Sequence, residues 1–290
     1  MIKADNISMK QKNLTPKTIQ DFFPNAPTPL LFAHRGCSTR YPENTLLAFE
    51  AALKNNIKAL ELDVHLTKDN KLVIIHDGNC QRTTGKSYQI SKTKFSALRE
   101  LNAAFTFNKN GSTNCKVADL ISVPKKEIVT PIPTLEELFK LGGDSFIYDI
   151  EVKVKRKLRI TLKLIDRLAK KYALSHQIIL SSFNPFTVAI ANRLSFKATA
   201  LIYGEEEDNH CAMVSKFLRF IKKKIARPTM LKPRRDHAIN ENKNELNRLC
   251  KNKQNRVVAT WTVDDKDEAK RLMENGVLGL CSNHPEDLLR

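Results

Sequence analysis

The chain has 290 residues, 41% of them hydrophobic, and a formal net charge of +18 from 49 Lys and Arg against 31 Asp and Glu. Its apolar segments exclude disorder as the main state, and the length suits one large α/β domain or two smaller ones. No stretch approaches the roughly 20 apolar residues of a membrane span, and the polar first 30 residues hold no secretory apolar run. The cytoplasm is therefore the expected compartment.

The charge is concentrated. Residues 151–175 hold nine basic and two acidic side chains, and residues 216–235 hold nine basic and none acidic. The rest of the chain is nearly balanced, so a protein that coats nucleic acid is not expected. The six cysteines, Cys37, Cys80, Cys115, Cys211, Cys250 and Cys281, form no CxxC pair. Free thiols are expected, not disulfides or a zinc site.

Residues 1–28 read as an N-terminal extension with one short helix, and residues 29–290 as a single barrel domain. Leu30–Ala33 is short and apolar, which suits a strand buried on both faces. Residues 44–55 then read as a helix, with Leu47 and Ala51 on one side. Ala59–Leu66 and Leu72–Ile75 read as strands, and the gap Thr67–Lys71 is too short for a helix, so they form a hairpin. Residues 78–130 lack clear periodicity and read as an insertion with one or two short helices. Thr134 and Glu137 form a capping box that opens a helix, which Gly142-Gly143 ends. Further strands are expected at Phe146–Val152, Ile178–Ser182, Ala198–Tyr203, Pro228–Leu231, Val257–Trp261 and Leu278–Ser282, with helices at 155–172 and 264–275 between some of them.

Eight β/α units result, with Leu72–Ile75 as an extra hairpin arm. This alternation predicts a TIM-type (β/α)8 barrel with a small inserted region; a doubly wound open sheet is the competitor. No GxGxxG or GxxxxGK[ST] supports a nucleotide-binding open sheet.

Polar groups collect at the strand ends: His34-Arg35, Glu61 and Asp63, His76-Asp77, Glu151 and Lys153, Ser181-Ser182, and Trp261. In a barrel the C-terminal strand ends converge on one site. Alternation puts Glu61, Asp63 and His65 on one face. Two carboxylates in a buried strand need a partner. One divalent cation would serve both, Glu151 adding a third oxygen, and hard oxygen ligands favour Mg²⁺ or Ca²⁺. An ion pair with Arg35 or Lys153 is the plainer alternative. His34 and His76 suit an acid–base pair, because imidazole titrates near neutrality. Arg35 and Lys153 suit an anionic substrate. Together these groups point to phosphoryl chemistry.

The ordered set Ala33-His34-Arg35-Gly36, Pro42-Glu43-Asn44-Thr45, Leu60-Glu61-Leu62-Asp63, His76-Asp77, Arg82-Thr83-Thr84-Gly85, Ile150-Glu151-Val152-Lys153 and Trp261-Thr262-Val263 resembles the glycerophosphodiester phosphodiesterases. The resemblance spans residues 30–285. It implies hydrolysis of glycerophosphodiesters to glycerol 3-phosphate and an alcohol. It implies a metal on Glu61, Asp63 and Glu151, acid–base roles for His34 and His76, and phosphate contacts from Arg35 and Lys153. Glu43 matches an active-site loop position, for which a helix cap is the competing role. Trp261 matches an aromatic that lines the glycerol side of the pocket. The chain departs from the family near its end, with Leu278 and Asn283 where Asp is usual. Neither position matches a ligand or an acid–base group, so the departures bear on specificity and local polarity.

The runner-up activity is of lysophospholipase D type, on lysophospholipids at a membrane surface. Val214, Phe217, Leu218, Ile221 and Ile225 recur at helical spacing among Lys216, Arg219 and Lys222–Lys224. Such a helix suits peripheral contact with an anionic membrane, although an ordinary barrel helix would bury the same stripe. In 155–172, Leu158, Leu162, Ile165 and Ala169 form the inward stripe. Apart from Lys153, the two basic runs are expected to form a cationic exterior.

Overall fold

The computed structural model describes residues 18–110, 127–154, 156–204, 212–235 and 256–288, with helix side chains described only where placed. The strands are β1 (Leu30–His34), β2 (Ala59–Leu66), β3 (Leu72–Ile74), β4 (Ile147–Val152), β5 (Ile178–Ser182), β6 (Ala198–Tyr203), β7 (Met230–Pro233), β8 (Val257–Thr260) and β9 (Gly279–Ser282). β1 pairs in parallel with both β9 and β2, so eight strands close into a barrel and the open sheet is excluded. β3 lies antiparallel on β2, the expected hairpin arm.

The helices are α1 (Ile19–Phe22), α2 (Leu46–Lys54), α3 (Gln81–Thr84), α4 (Phe95–Arg99), α5 (Phe105–Asn110), α6 (Leu135–Gly142), α7 (Leu158–Lys171), α8 (Pro185–Ala191), α9 (Ala212–Ala226), α10 (Lys266–Glu274) and α11 (Pro285–Leu288). The capping box on α6 forms as expected: Glu137 N donates to Thr134 Oγ1 at 3.2 Å, and Thr134 N donates to Glu137 Oε2 at 2.8 Å.

Strand alternation sorts the core. Leu30, Phe32, Ala59, Ile147, Ile179, Met230 and Val257 fill the barrel floor. Ile19, Phe22 and Phe23 join that cluster, so α1 and the residue after it cover the strand N-termini. The opposite strand faces, such as Leu60, Leu62, Val64, Ile150 and Leu180, meet Leu162, Ile165 and Ala169 of α7. Each large side chain buried this way contributes roughly 1.5–3 kcal/mol. The apolar floor leaves the upper interior to polar groups.

Several expectations shift. β7 starts two residues later than expected, at Met230, and runs through Lys232 to Pro233. The described part of the insertion holds three short helices and a 3-10 turn at Ile90–Lys92, around a small core of Val73, Ile75, Cys80, Ile90 and Leu98. Elements of three to six residues are too short to show a period.

The cationic exterior is also incomplete. Lys232 is 2% exposed and Arg219 is 6% exposed. On α9 the stripe is turned: Phe220, Ile221 and Ile225 are exposed, while Ala226 is buried. Lys216, Val214 and Phe217 have side chains outside the described residues. Cys37, Cys80 and Cys281 are free and buried; Cys115, Cys211 and Cys250 lie outside the described residues. Among the described residues no helix is long and apolar enough to cross a membrane.

Candidate active site

Strand register assembles the site. β1 pairs with β2 at His34↔Glu61, and β2 pairs with β4 at Glu61↔Asp149 and Asp63↔Glu151. Residues paired on neighbouring strands share a face, so Glu61, Asp63, Asp149 and Glu151 all point into the barrel. Seven of the nine nominated residues line one cavity of about 90 Å³: His34, Arg35, Glu61, His76, Glu151, Lys153 and Trp261. Asp63, 1% exposed, lies beneath them. Glu43 stands behind Arg35 and caps no helix; Thr45 caps α2 by accepting from Ala48 N at 3.3 Å. A larger cavity of about 390 Å³ lies between the β2–β3 hairpin, α6 and α7 and contains none of these groups.

Glu61, Asp63 and Glu151 each offer a carboxylate oxygen, all within 4.8 Å of one another and all buried. Lys153 Nζ lies 2.7 Å from Glu151 Oε1 and 3.2 Å from Asp63 Oδ1. Arg35 Nε lies 3.3 Å from Asp63 Oδ2. Burial alone would raise Asp63, but the charges of Lys153 and Arg35 hold its carboxyl well below the usual range. Burial and the Asp63 charge push Glu61 well above its usual range, and burial raises Glu151 despite Lys153. Three buried carboxylates thus share too little positive charge. Asp63 Oδ1 has no hydrogen-bond donor, the Lys153 ammonium being near it but not aligned. An all-oxygen donor set of this kind fits a hard divalent cation.

The turn after β1 is built for this geometry. Arg35 and Gly36 both adopt positive φ, 58° and 83°. A Cβ on Gly36 would sit 2.7 Å from Ala48 carbonyl carbon, so only glycine fits. Arg35 N donates to Glu61 Oε2 at 3.2 Å. Asn44, also at positive φ, donates from Nδ2 to Asp63 Oδ2 at 2.8 Å. Glu43 accepts from Arg35 Nη1 at 3.0 Å and from Arg82 Nη2 at 2.7 Å. Burial would raise its pKa, but these arginines bring it down to about 2.

The histidines have different partners. His34 Nδ1 donates to Asn283 Oδ1 at 2.6 Å, and its Nε2 lies 3.8 Å from Glu61 Oε2. Burial, helped by the Arg35 charge, lowers its pKa to about 3. His76 Nδ1 donates to the Asp77 carboxylate at 2.7 Å, and Arg82 Nε donates to the other Asp77 oxygen at 2.5 Å. The hydrogen bond from His76 keeps Asp77 well below the usual range, despite partial burial. His65, grouped by sequence with the metal face, donates from Nε2 to the His76 carbonyl at 3.0 Å. It supports the His76 backbone, and burial lowers its pKa.

The far wall is aromatic. Phe183 and Trp261 meet edge to face, with centroids 5.6 Å apart, and Lys153 Nζ lies 5.7 Å over the Phe183 ring. Trp261 Nε1 donates to the Lys232 carbonyl at 3.1 Å.

Sequence reasoning missed three contributors. Lys232 reaches into the barrel interior to pair with Asp149 and lines the cavity. Asn44 holds Asp63. Asn283, which the sequence marks only as a departure bearing on specificity and local polarity, touches His34 directly. For Asn44 a signal existed: Asn at a turn tolerates positive φ and can bond locally. Lys232 gave none, because lysine is seldom fully buried.

A family model for the glycerophosphoryl diester phosphodiesterase family matches residues 34–287. The chain belongs to that family. By membership it is a phosphoric diester hydrolase. It is 31% identical over 264 residues to a glycerophosphodiester phosphodiesterase of Caldanaerobacter subterraneus subsp. tengcongensis, covering 90% of this chain and 96% of that one. It is 30% identical over 152 residues to a human lysophospholipase D, covering 52% of this chain and 44% of that one. A phosphodiesterase of Oleispira antarctica, solved with the product sn-glycerol-3-phosphate, superposes with a TM-score of 0.70 at 21% identity. That structure covers 90% of this chain and 96% of its own, and shares the fold.

Proposed function

We propose that this member of the family hydrolyses glycerophosphodiesters to glycerol 3-phosphate and an alcohol, with one bound divalent cation and with His34 and His76 as acid–base pair. The observation that carries the reading is the buried Glu61–Asp63–Glu151 triad, with Glu61 and Glu151 lining one cavity together with His34, His76, Arg35 and Lys153, and Asp63 beneath them. On this reading residues 29–290 are the catalytic unit, and Ile19, Phe22 and Phe23 ahead of it pack into the barrel-floor cluster.

Glu61, Asp63 and Glu151 would hold a Mg²⁺ or Ca²⁺ ion, which would supply charge stabilisation at a phosphoryl oxygen. The remaining work falls to the chain. Arg35 and Lys153 bind the phosphate and offset the charge that grows on its oxygens. Glu43 and Arg82 keep the Arg35 guanidinium in place. One histidine takes the proton of the attacking hydroxyl, from water or from the glycerol 2-hydroxyl, and the other protonates the leaving alcohol; where the 2-hydroxyl attacks, a water then opens the cyclic phosphate to give glycerol 3-phosphate. Each such role is worth roughly 10²–10⁴ in rate. Trp261 and Phe183 supply the apolar wall for the glycerol carbons.

The test is release of glycerol 3-phosphate from glycerophosphocholine. His34→Ala, His76→Ala and Glu61→Ala should each abolish it. Near wild-type turnover in any of the three contradicts the assignment.

A second reading is favoured by one observation. Ile160 in the first turn of α7 and Phe186 in the first turn of α8 are 46% and 60% exposed. Both helices start at strand C-termini, so both side chains stand on the catalytic rim, near exposed Arg156, Lys157 and Arg159. On this reading the enzyme works from the cytoplasmic side of an anionic membrane and draws lysophospholipid from it. Co-sedimentation with phosphatidylserine vesicles at low salt checks it. Phe186→Ser should weaken binding, and no binding by the wild type removes the reading.

A further inference from the structure

We infer that Asn283, locked by Asp264, is a positioning residue that holds His34 with Nδ1 protonated and Nε2 bare on the pocket side. The inference rests on the reading that His34 transfers a proton.

Asn283, 4% exposed, follows β9 and precedes α11. Its Nδ2 donates to Asp264 Oδ2 at 2.7 Å, and its backbone N donates to Asp264 Oδ1 at 2.7 Å. Ser282 Oγ donates to the same Oδ1 at 2.9 Å. Thr39 Oγ1 donates to the Asn283 carbonyl at 3.1 Å, which ties the segment to the turn after β1. A carboxylate only accepts, so the amide nitrogen must face Asp264. The amide oxygen is left for His34, 2.6 Å away. An amide oxygen also only accepts, so His34 Nδ1 must carry a hydrogen. Neutral imidazole has one N–H. The lone pair is therefore on Nε2, the atom on the Glu61 side of the ring.

Two consequences follow for the chemistry. Nε2 is the atom that exchanges the proton, and Nδ1 serves only to aim the ring. The partner of His34 is a neutral amide, whereas the partner of His76 is the Asp77 carboxylate. The two histidines are thus oriented alike but differ in the charge placed behind them.

The network also dictates what an exchange of its members would do. In Asn283→Asp, two carboxylates face each other in place of the 2.7 Å hydrogen bond. In Asp264→Asn, the Asn283 amide is free to turn its nitrogen toward His34 and favour the wrong tautomer. In the double exchange Asp264→Asn/Asn283→Asp, residue 264 keeps an oxygen for Ser282 Oγ and the backbone N of 283, and its amide nitrogen donates to residue 283. Every hydrogen bond in the network is kept.

The experiment has two arms. First, ¹⁵N-histidine NMR of the wild type, with the His34 signal assigned by its loss in His34→Gln, should give a protonated-type shift for Nδ1 and a bare-type shift for Nε2. Second, glycerol 3-phosphate release from glycerophosphocholine should show kcat lowered roughly 10–100-fold in Asn283→Ala and in Asp264→Asn, with KM little changed. The double exchange should be more active than Asp264→Asn or Asn283→Asp alone. A bare Nδ1 in the wild type overturns the inference. So does wild-type kcat in Asn283→Ala, or a folded double exchange no better than the single variants. Full activity in His34→Ala would instead overturn the proton-transfer reading, while the NMR arm still judges the tautomer.

Discussion

The ammonium of Lys232, on β7, meets the carboxylate of Asp149, on β4, inside the barrel, and both side chains are almost wholly out of solvent. β5 and β6 separate their strands in the sheet, so the pair spans the interior between the apolar floor and the carboxylates above. Burial would lower the Lys232 pKa, but the Asp149 charge holds it above the usual range. Removing one partner of such a pair leaves a buried charge uncompensated. Lys232→Met should destabilise the fold by about 3–5 kcal/mol, and adding Asp149→Leu should recover most of that loss. Urea unfolding of the three proteins checks this; equal stability of the single and double variants contradicts it.

Glu43 offers a pH-dependent counterpart. Its carboxyl ionises near 2 in the folded chain, against an ordinary 4.5. A depressed carboxylate contributes stability above its unfolded pKa and loses it as pH falls toward the folded value. The contribution, on the order of 3 kcal/mol, is therefore full above about pH 5 and lost by about pH 2. Glu43→Gln should unfold more readily than wild type at pH 7, with the gap closing between pH 5 and pH 2. A gap that stays constant over this range would show that the Arg35 and Arg82 contacts are not the cause.

Gly36 tests the turn that carries Arg35. Alanine there must hold a positive φ and place its Cβ against Ala48 backbone. Gly36→Ala should cost about 1–3 kcal/mol from backbone strain and lower turnover further by displacing the Arg35 guanidinium. Unchanged stability and kcat would mean the turn adapts without moving Arg35.

Much of this arrangement was legible in the chain because the relevant signals are periodic or local. β2 and β5 form over the expected residues, and the Thr134–Glu137 box caps α6. Glu61 and Asp63 share a face because a strand alternates, and Glu151 joins them because β4 pairs beside β2. What was hidden depends on partners far apart in sequence. Lys232 reads as a solvated lysine until β4 supplies Asp149 across the barrel. Asn283 reads as a loss of charge until the fold sets it between His34 and Asp264. Arg219 sits within a basic run, yet it is buried, because helix orientation and not composition decides which face α9 turns inward.

The central claim is that the buried triad binds a divalent cation and that hydrolysis depends on it. Glycerol 3-phosphate release from glycerophosphocholine by EDTA-stripped protein, with and without added Mg²⁺ or Ca²⁺, tests it most directly. No release is expected after stripping, with recovery on adding at least one of the two ions and no recovery in Asp63→Asn. Undiminished release by the metal-free wild-type protein would contradict it.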